Sequence, residues 1–80
     1  MKKNITVIAK MKSDGMIVPL SVVWDDDTIF DIDKVLDIRR KASINGGGFG
    51  IRYTCKFGNN ERYLWLDGYT WFVEIDSKKQ

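Results

Sequence analysis

Eighty residues, 44% hydrophobic and 30% charged, make a single small domain with a modest net charge of +2. That balance gives no general drive toward polyanions, and no apolar run approaches the roughly 18 residues that a membrane span needs. A domain this short buries only about 60% of the surface its unfolded chain exposes. Its three Trp, three Tyr and four Phe are therefore the natural source of a core, since large rings bury much area for little chain.

In chain order, Met1 to Asn4 is basic, but Ile5 to Ala9 is too short for the apolar region of a signal peptide, and a cytoplasmic location is expected. Ile5 to Met11 is rich in β-branched residues, with Ile5, Val7, Ala9 and Met11 on one side, and reads as a first strand. Lys12 to Gly15 turns it through Asp-Gly. Met16 to Trp24 follows with Met16, Val18, Leu20, Val22 and Trp24 on one face. Pro19 has no N–H for a central ladder, so this strand is expected at an edge or bulged near the proline. Asp25-Asp26-Asp27 is the next turn, and Thr28 to Ile32 returns with Phe30 and Ile32 inward.

From Asp33 to Ala42 two patterns compete. Val35, Leu36 and Ile38 fit a helical stripe capped by Asp33, yet Leu36 and Ile38 also alternate with Asp37 and Arg39. The reading adopted is a kink at Asp33-Lys34 and then another strand. Ser43 to Gly48 is a flexible glycine-rich loop. Phe49 to Phe57 has the clearest two-residue period of the chain, with Phe49, Ile51, Tyr53, Cys55 and Phe57 opposite Arg52, Thr54 and Lys56. Gly58-Asn59-Asn60 turns into Glu61 to Leu66, Asp67-Gly68 makes a hairpin, and Tyr69 to Asp76 is the last strand, with Tyr69, Trp71, Val73 and Ile75 together. Ser77 to Gln80 frays. Five to seven short strands joined by Gly, Asn and Asp turns predict an all-β fold, a small antiparallel meander forming a partly open barrel of the SH3 type. Its expected core is Val18, Leu20, Val22, Phe30, Ile32, Leu36, Ile38, Ile51, Tyr53, Cys55, Leu64, Leu66, Trp71 and Val73.

The chemical inventory argues against an enzyme. There is no imidazole for near-neutral proton transfer, and Cys55, the lone thiol, has no base to activate it and reads as a packing residue. Three consecutive carboxylates at Asp25 to Asp27 cannot easily aim at one cation, and the Gly46 to Gly50 stretch leads into a strand where a phosphate loop would open a helix. No catalytic residue, metal or cofactor is expected. Two binding readings remain. Arg39-Arg40-Lys41 is the densest basic cluster, and Arg52, Lys56 and Arg62 on the outward sides of neighbouring strands, with Tyr63 and Trp65 as stacking platforms, compose a face for single-stranded nucleic acid. The same side chains equally describe a solvated sheet face whose stems cover apolar surface. The second reading is a non-catalytic protein-interaction module. Ile17, Val23, Tyr63 and Trp65 are apolar where water is expected and offer an interface to a partner protein or, as a weak homodimer, to a second copy. This is the reading preferred.

Ile17 to Trp24, Phe30 to Arg39, Gly50 to Cys55 and Trp71 to Glu74 together resemble a group of short proteins of unknown function from Gram-positive bacteria. The likeness implies a compact bacterial cytoplasmic β domain and carries no site residues with it.

Overall fold

The structure, a computed structural model, describes residues 2–42 and 49–74. The expectations for the Ser43–Gly48 loop, for Ile75 and Asp76, and for the frayed end lie outside those residues. The described chain is all antiparallel strand: β1 (Lys2–Met11), β2 (Ile17–Val23), β3 (Ile29–Asp31), β4 (Lys34–Ala42), β5 (Phe49–Phe57), β6 (Asn60–Asp67) and β7 (Thr70–Glu74). They form one sheet in the order β3-β2-β1-β7-β6-β5-β4, curled into a half-barrel. No helix among the described residues is long and apolar enough to cross a membrane.

Turn chemistry sets the hairpins. Gly58 (φ 61°) and Gly68 (φ 66°) each occupy the first position of a two-residue loop, between Phe57 and Asn60 and between Asp67 and Thr70. Positive φ there matches the twist of the flanking strands, and glycine adopts it without steric cost. The hairpin expected at Asp67-Gly68 is thus centred one residue later, on Gly68 and Tyr69, and Tyr69 projects fully into solvent. The β1–β2 and β2–β3 connections are copies of one another. In the first, Gly15 N donates to Lys12 O and Lys12 N to Met16 O; in the second, Asp27 N donates to Trp24 O and Trp24 N to Thr28 O. Asp14 and Asp26 accept from the amides of Met16 and Thr28, and the left-handed position falls to Gly15 in one and to Asp27 (φ 67°) in the other.

The two ends of the sheet, β3 and β4, are neighbours in sequence, separated only by Ile32 and Asp33. Ile32 N donates to Leu20 O on β2, and the very next amide, Asp33 N, donates to Lys56 O on β5. The chain therefore changes partner at a single peptide, and the Asp33 carboxylate fixes the corner by accepting from Gly58 N at 2.6 Å. β3 and β4 act as two halves of one bent strand, which is why β1 and β7 meet antiparallel and the sheet curls. The extended reading of Asp33 to Ala42, with its kink at Asp33-Lys34, is what the backbone adopts.

Directly paired residues project to the same side of a sheet, so the register assigns the faces. The concave side carries Ile5 and Val7 of β1, Val22 of β2, Ile51, Tyr53 and Cys55 of β5, Leu64 and Leu66 of β6, and Trp71 and Val73 of β7. Tyr53 and Cys55 are fully buried, and Tyr53 spans the half-barrel by donating its hydroxyl to Ile17 O at 2.6 Å.

Of the expected core residues, three are turned outward and two more are inward but exposed. Ile8 pairs with Ser21 and Ala9 with Pro19, so Leu20 is an extra residue in a bulge. A bulge reverses the alternation: Ile17 and Pro19 turn inward before it, Val22 and Trp24 after it, and Val18 and Leu20 fall outside. A second bulge between Val35 and Asp37 ejects Leu36. Ile38 keeps its inward register opposite Tyr53 but lies on the end strand β4 and is 38% exposed. Phe30 is likewise inward, opposite Val22, and half-exposed on β3. The bulge anticipated near Pro19 is present, whereas the edge position is not, because β2 lies between β3 and β1.

Candidate functional site

The basic face expected on the central hairpin separates into two. Arg52 stands opposite Trp65, Thr54 opposite Tyr63 and Lys56 opposite Glu61, all on the convex side, whereas Arg62 pairs with Cys55 and projects to the concave side. Arg39 is convex, opposite Arg52, and bonded to Asp37 at 2.8 Å; Arg40 is concave, opposite Ile51; Lys41 lies opposite Gly50 in register. Lys2, Lys34, Arg39, Arg52 and Lys56 share the convex side with Asp37, Glu61, Asp67 and Glu74, so its charge is nearly balanced. Of the two proposed platforms, Tyr63 is half-exposed with one face of its ring covered, and Trp65 is buried. The Arg52 guanidinium covers the Tyr63 ring at 4.3 Å, and Trp65 is 7% exposed, stacked on Phe72 at 5.8 Å.

The residues expected at a protein interface do not form one surface either. Ile17 packs against the core, and Trp65 is buried. Val23 lies on the convex side between Thr6 and Ile29, far along the sheet order from Tyr63 on β6. Phe72, 1% exposed on the convex side, went unrecognised because alternation assigns it to water. The Lys2 ammonium stands 4.8 Å from its ring centre. Arg52 Nε and Trp65 Nε1 are buried there without an acceptor among the described residues.

The concave side holds the feature with the most binding capacity. Tyr53, Trp71 and Leu66 fill one end of the half-barrel, with the Tyr53 and Trp71 rings 5.4 Å apart. The other end stays open as a groove of about 720 Å³ lined by Val22, Trp24, Phe30, Phe57, Leu64 and Val73, with Arg62 and Glu61 at its margin. That volume falls within the ~300–1,000 Å³ of small-molecule and cofactor sites. Its aromatic walls come from two hairpins, β2–β3 and β5–β6, that the bend at Asp33 and the bulge at Leu20 bring to face each other. Lys3 closes the Trp24 end, bonded to Asp25 at 2.6 Å with its ammonium 5.6 Å from the indole.

No group of three or more His, Cys, Asp or Glu side chains among the described residues could hold a metal ion. The Asp25 and Asp26 carboxylates have separate partners: Asp25 faces Lys3, while the side chain and amide of Thr28 hold the Asp26 carboxyl below its ordinary value. Burial pushes the Cys55 thiol up to about 11, where a thiolate nucleophile is disfavoured at neutral pH. The sign of the resulting pH dependence is fixed: the folded state holds this proton more tightly than the unfolded state, so stability is fully present below about pH 9 and falls as pH rises toward 11. Tyr53, also raised by burial, acts in the same direction. Chemical denaturation at pH 8 and pH 10.5 should show the loss, and Cys55→Ala should reduce it.

Compared with protein-family models, curated proteins and solved structures, the chain matches none.

Proposed function

We propose that this chain is a small non-catalytic interaction module whose concave groove receives an apolar segment of a partner protein. The observation that carries the reading is the open aromatic groove itself, walled by Trp24, Phe30, Phe57 and Leu64. Exposed apolar concavities of this kind lower their free energy by covering their walls, and aromatic residues with few convergent polar groups are what binding sites present. Nucleic acid is the weaker occupant, because the convex cations are matched by carboxylates, Trp65 is buried, and Arg52 already covers one face of the Tyr63 ring. We retain as part of the proposal a bacterial cytoplasmic setting, on the strength of the stretches that resemble short Gram-positive proteins.

The test uses 8-anilinonaphthalene-1-sulfonate, an apolar fluorophore that fits an aromatic groove. Saturable binding near one dye per chain is expected, little changed by salt and lost in Phe30→Asp, a half-exposed position whose replacement leaves the core intact. A flat titration, or equal binding by Phe30→Asp, removes the groove from consideration. A polyuridine titration at low salt is the counter-test, since phosphate contacts would weaken steeply as salt rises. Sedimentation across a hundredfold concentration range reports whether the partner is a second copy.

A further inference from the structure

We infer that the groove's occupant is an extended polypeptide that adds a strand to the free edge of β3 and presents a carboxylate to Arg62. This rests on the groove reading above and gives its occupant a chemistry.

The edge comes first. β3 ends the sheet, so one side of it has no strand partner among the described residues. The pairing with β2 shows which backbone groups face that side. Trp24 N donates to Thr28 O and Ile32 N donates to Leu20 O, so Thr28, Phe30 and Ile32 turn their polar groups toward β2. Antiparallel pairing alternates direction every residue. The N–H and C=O of Ile29 and Asp31 therefore point away from β2, toward the side where the sheet stops. That side borders the groove, since Phe30 of β3 and Phe57 and Asn60 of the β5–β6 hairpin line it from opposite margins. An aliphatic small molecule would leave these main-chain groups to water. A peptide in β conformation satisfies them while sending alternate side chains over Phe30 into the groove.

Charge supplies the second element. Glu61 and Glu74 border the groove, but each stands directly across the ladder from a lysine, Lys56 and Lys2 respectively. Lys3 is already bonded to Asp25. Arg62 is exposed, projects to the concave side and bonds only the Glu61 carbonyl, at 2.9 Å, with no carboxylate partner among the described residues. A planar guanidinium left with free donors at the margin of an apolar groove selects a carboxylate, which it can hold through two parallel hydrogen bonds.

A library of random linear heptapeptides displayed on phage and selected on the folded protein tests both parts. Enriched sequences should alternate apolar and polar residues and include Asp or Glu. The best of them, made as a synthetic peptide, should bind the parent and lose at least tenfold in affinity with Ile29→Pro. Proline there removes an outward N–H and none of the bonds to β2. Arg62→Glu should lose at least tenfold as well, and a peptide with its acid changed to lysine should recover binding to that variant. Circular dichroism confirms that each variant folds; should Ile29→Pro not fold, N-methylation along the synthetic peptide replaces it, and only every second amide should be sensitive. If the peptide is lost by Phe30→Asp yet tolerates both the edge and the charge changes, the groove reading stands and strand addition to β3 falls. If no selected peptide binds the parent, the inference falls even where the dye still fills the groove.

Discussion

Tyr53→Ala is expected to destabilise the domain by about 3–5 kcal/mol, the range for removing a large aromatic from a core. Tyr53 is fully buried at the middle of β5, its ring lies against Trp71, and its hydroxyl bonds Ile17 O on the far side of the half-barrel. One side chain thus fills the closed end of the curl and ties β5 to β2, strands that lie four places apart in the sheet order. Tyr53→Phe separates the two roles. It keeps the ring and leaves the Ile17 carbonyl without this donor, a loss of about 1–2 kcal/mol. Small domains hold only about 5–15 kcal/mol in total, so the alanine variant should unfold at a much lower urea concentration, with the phenylalanine variant between it and the parent. Equal midpoints for alanine and phenylalanine would show that the ring contributes little and that the curl is held elsewhere. Trp71, which alternation marks as the anchor of the last strand, is only partly buried and should matter less.

What was legible in the sequence is what a regular strand repeats. Phe49 to Phe57 has no interruption, and its inward residues Ile51, Tyr53 and Cys55 are where a two-residue period puts them. Gly58 and Gly68 mark their hairpins for the same reason, since few residues other than glycine hold positive φ at low cost. The extended course after Asp33 was readable from the alternation of Leu36 and Ile38 with Asp37 and Arg39, which favours a kinked strand over the competing helical stripe, whereas the role of the Asp33 carboxylate at the corner was not. Bulges break that repeat. Leu20 and Leu36 are good strand residues in good strand contexts, and what ejects them is the partner's register, which no local pattern contains. A single inserted residue puts the two parts of a strand out of phase, so an alternation that places Val22 inward places Ile17 outward, although Ile17 packs on the core. The groove was illegible for a related reason. Val22, Phe30, Phe57 and Leu64 all read correctly as inward residues, but an inward face shared by a closed barrel and by a half-open one has the same sequence pattern. Only the curvature decides whether those side chains touch one another or a ligand.

Phe72→Ala is expected to cost about 3–5 kcal/mol as well, although nothing in the alternation of β7 assigns Phe72 to a core. The residue is 1% exposed on the convex side, nearly parallel to the Trp65 ring at 5.8 Å, with the Lys2 ammonium 4.8 Å from the centre of its own ring. Trp65 and Phe72 face each other directly across the β6–β7 ladder, while Lys2 belongs to β1, whose Asn4 pairs with Phe72. The pair therefore lies over the seam where the two three-stranded arms of the sheet, β1–β3 and β4–β6, are joined through β7. Stacked rings gain roughly 0.5–1.5 kcal/mol beyond the area they bury, so the effects of Phe72→Ala and Trp65→Ala should not add. The double variant should be more stable than the sum of the single losses predicts by about that amount. Lys2→Ala should cost well under either, because an exposed cation over a ring contributes only about 0.5–1 kcal/mol. Urea denaturation of the four proteins measures the cycle. Additive losses would show that the rings are buried independently, and a Phe72→Ala variant as stable as the parent would mean that the convex cluster does not hold the β1–β7 seam at all.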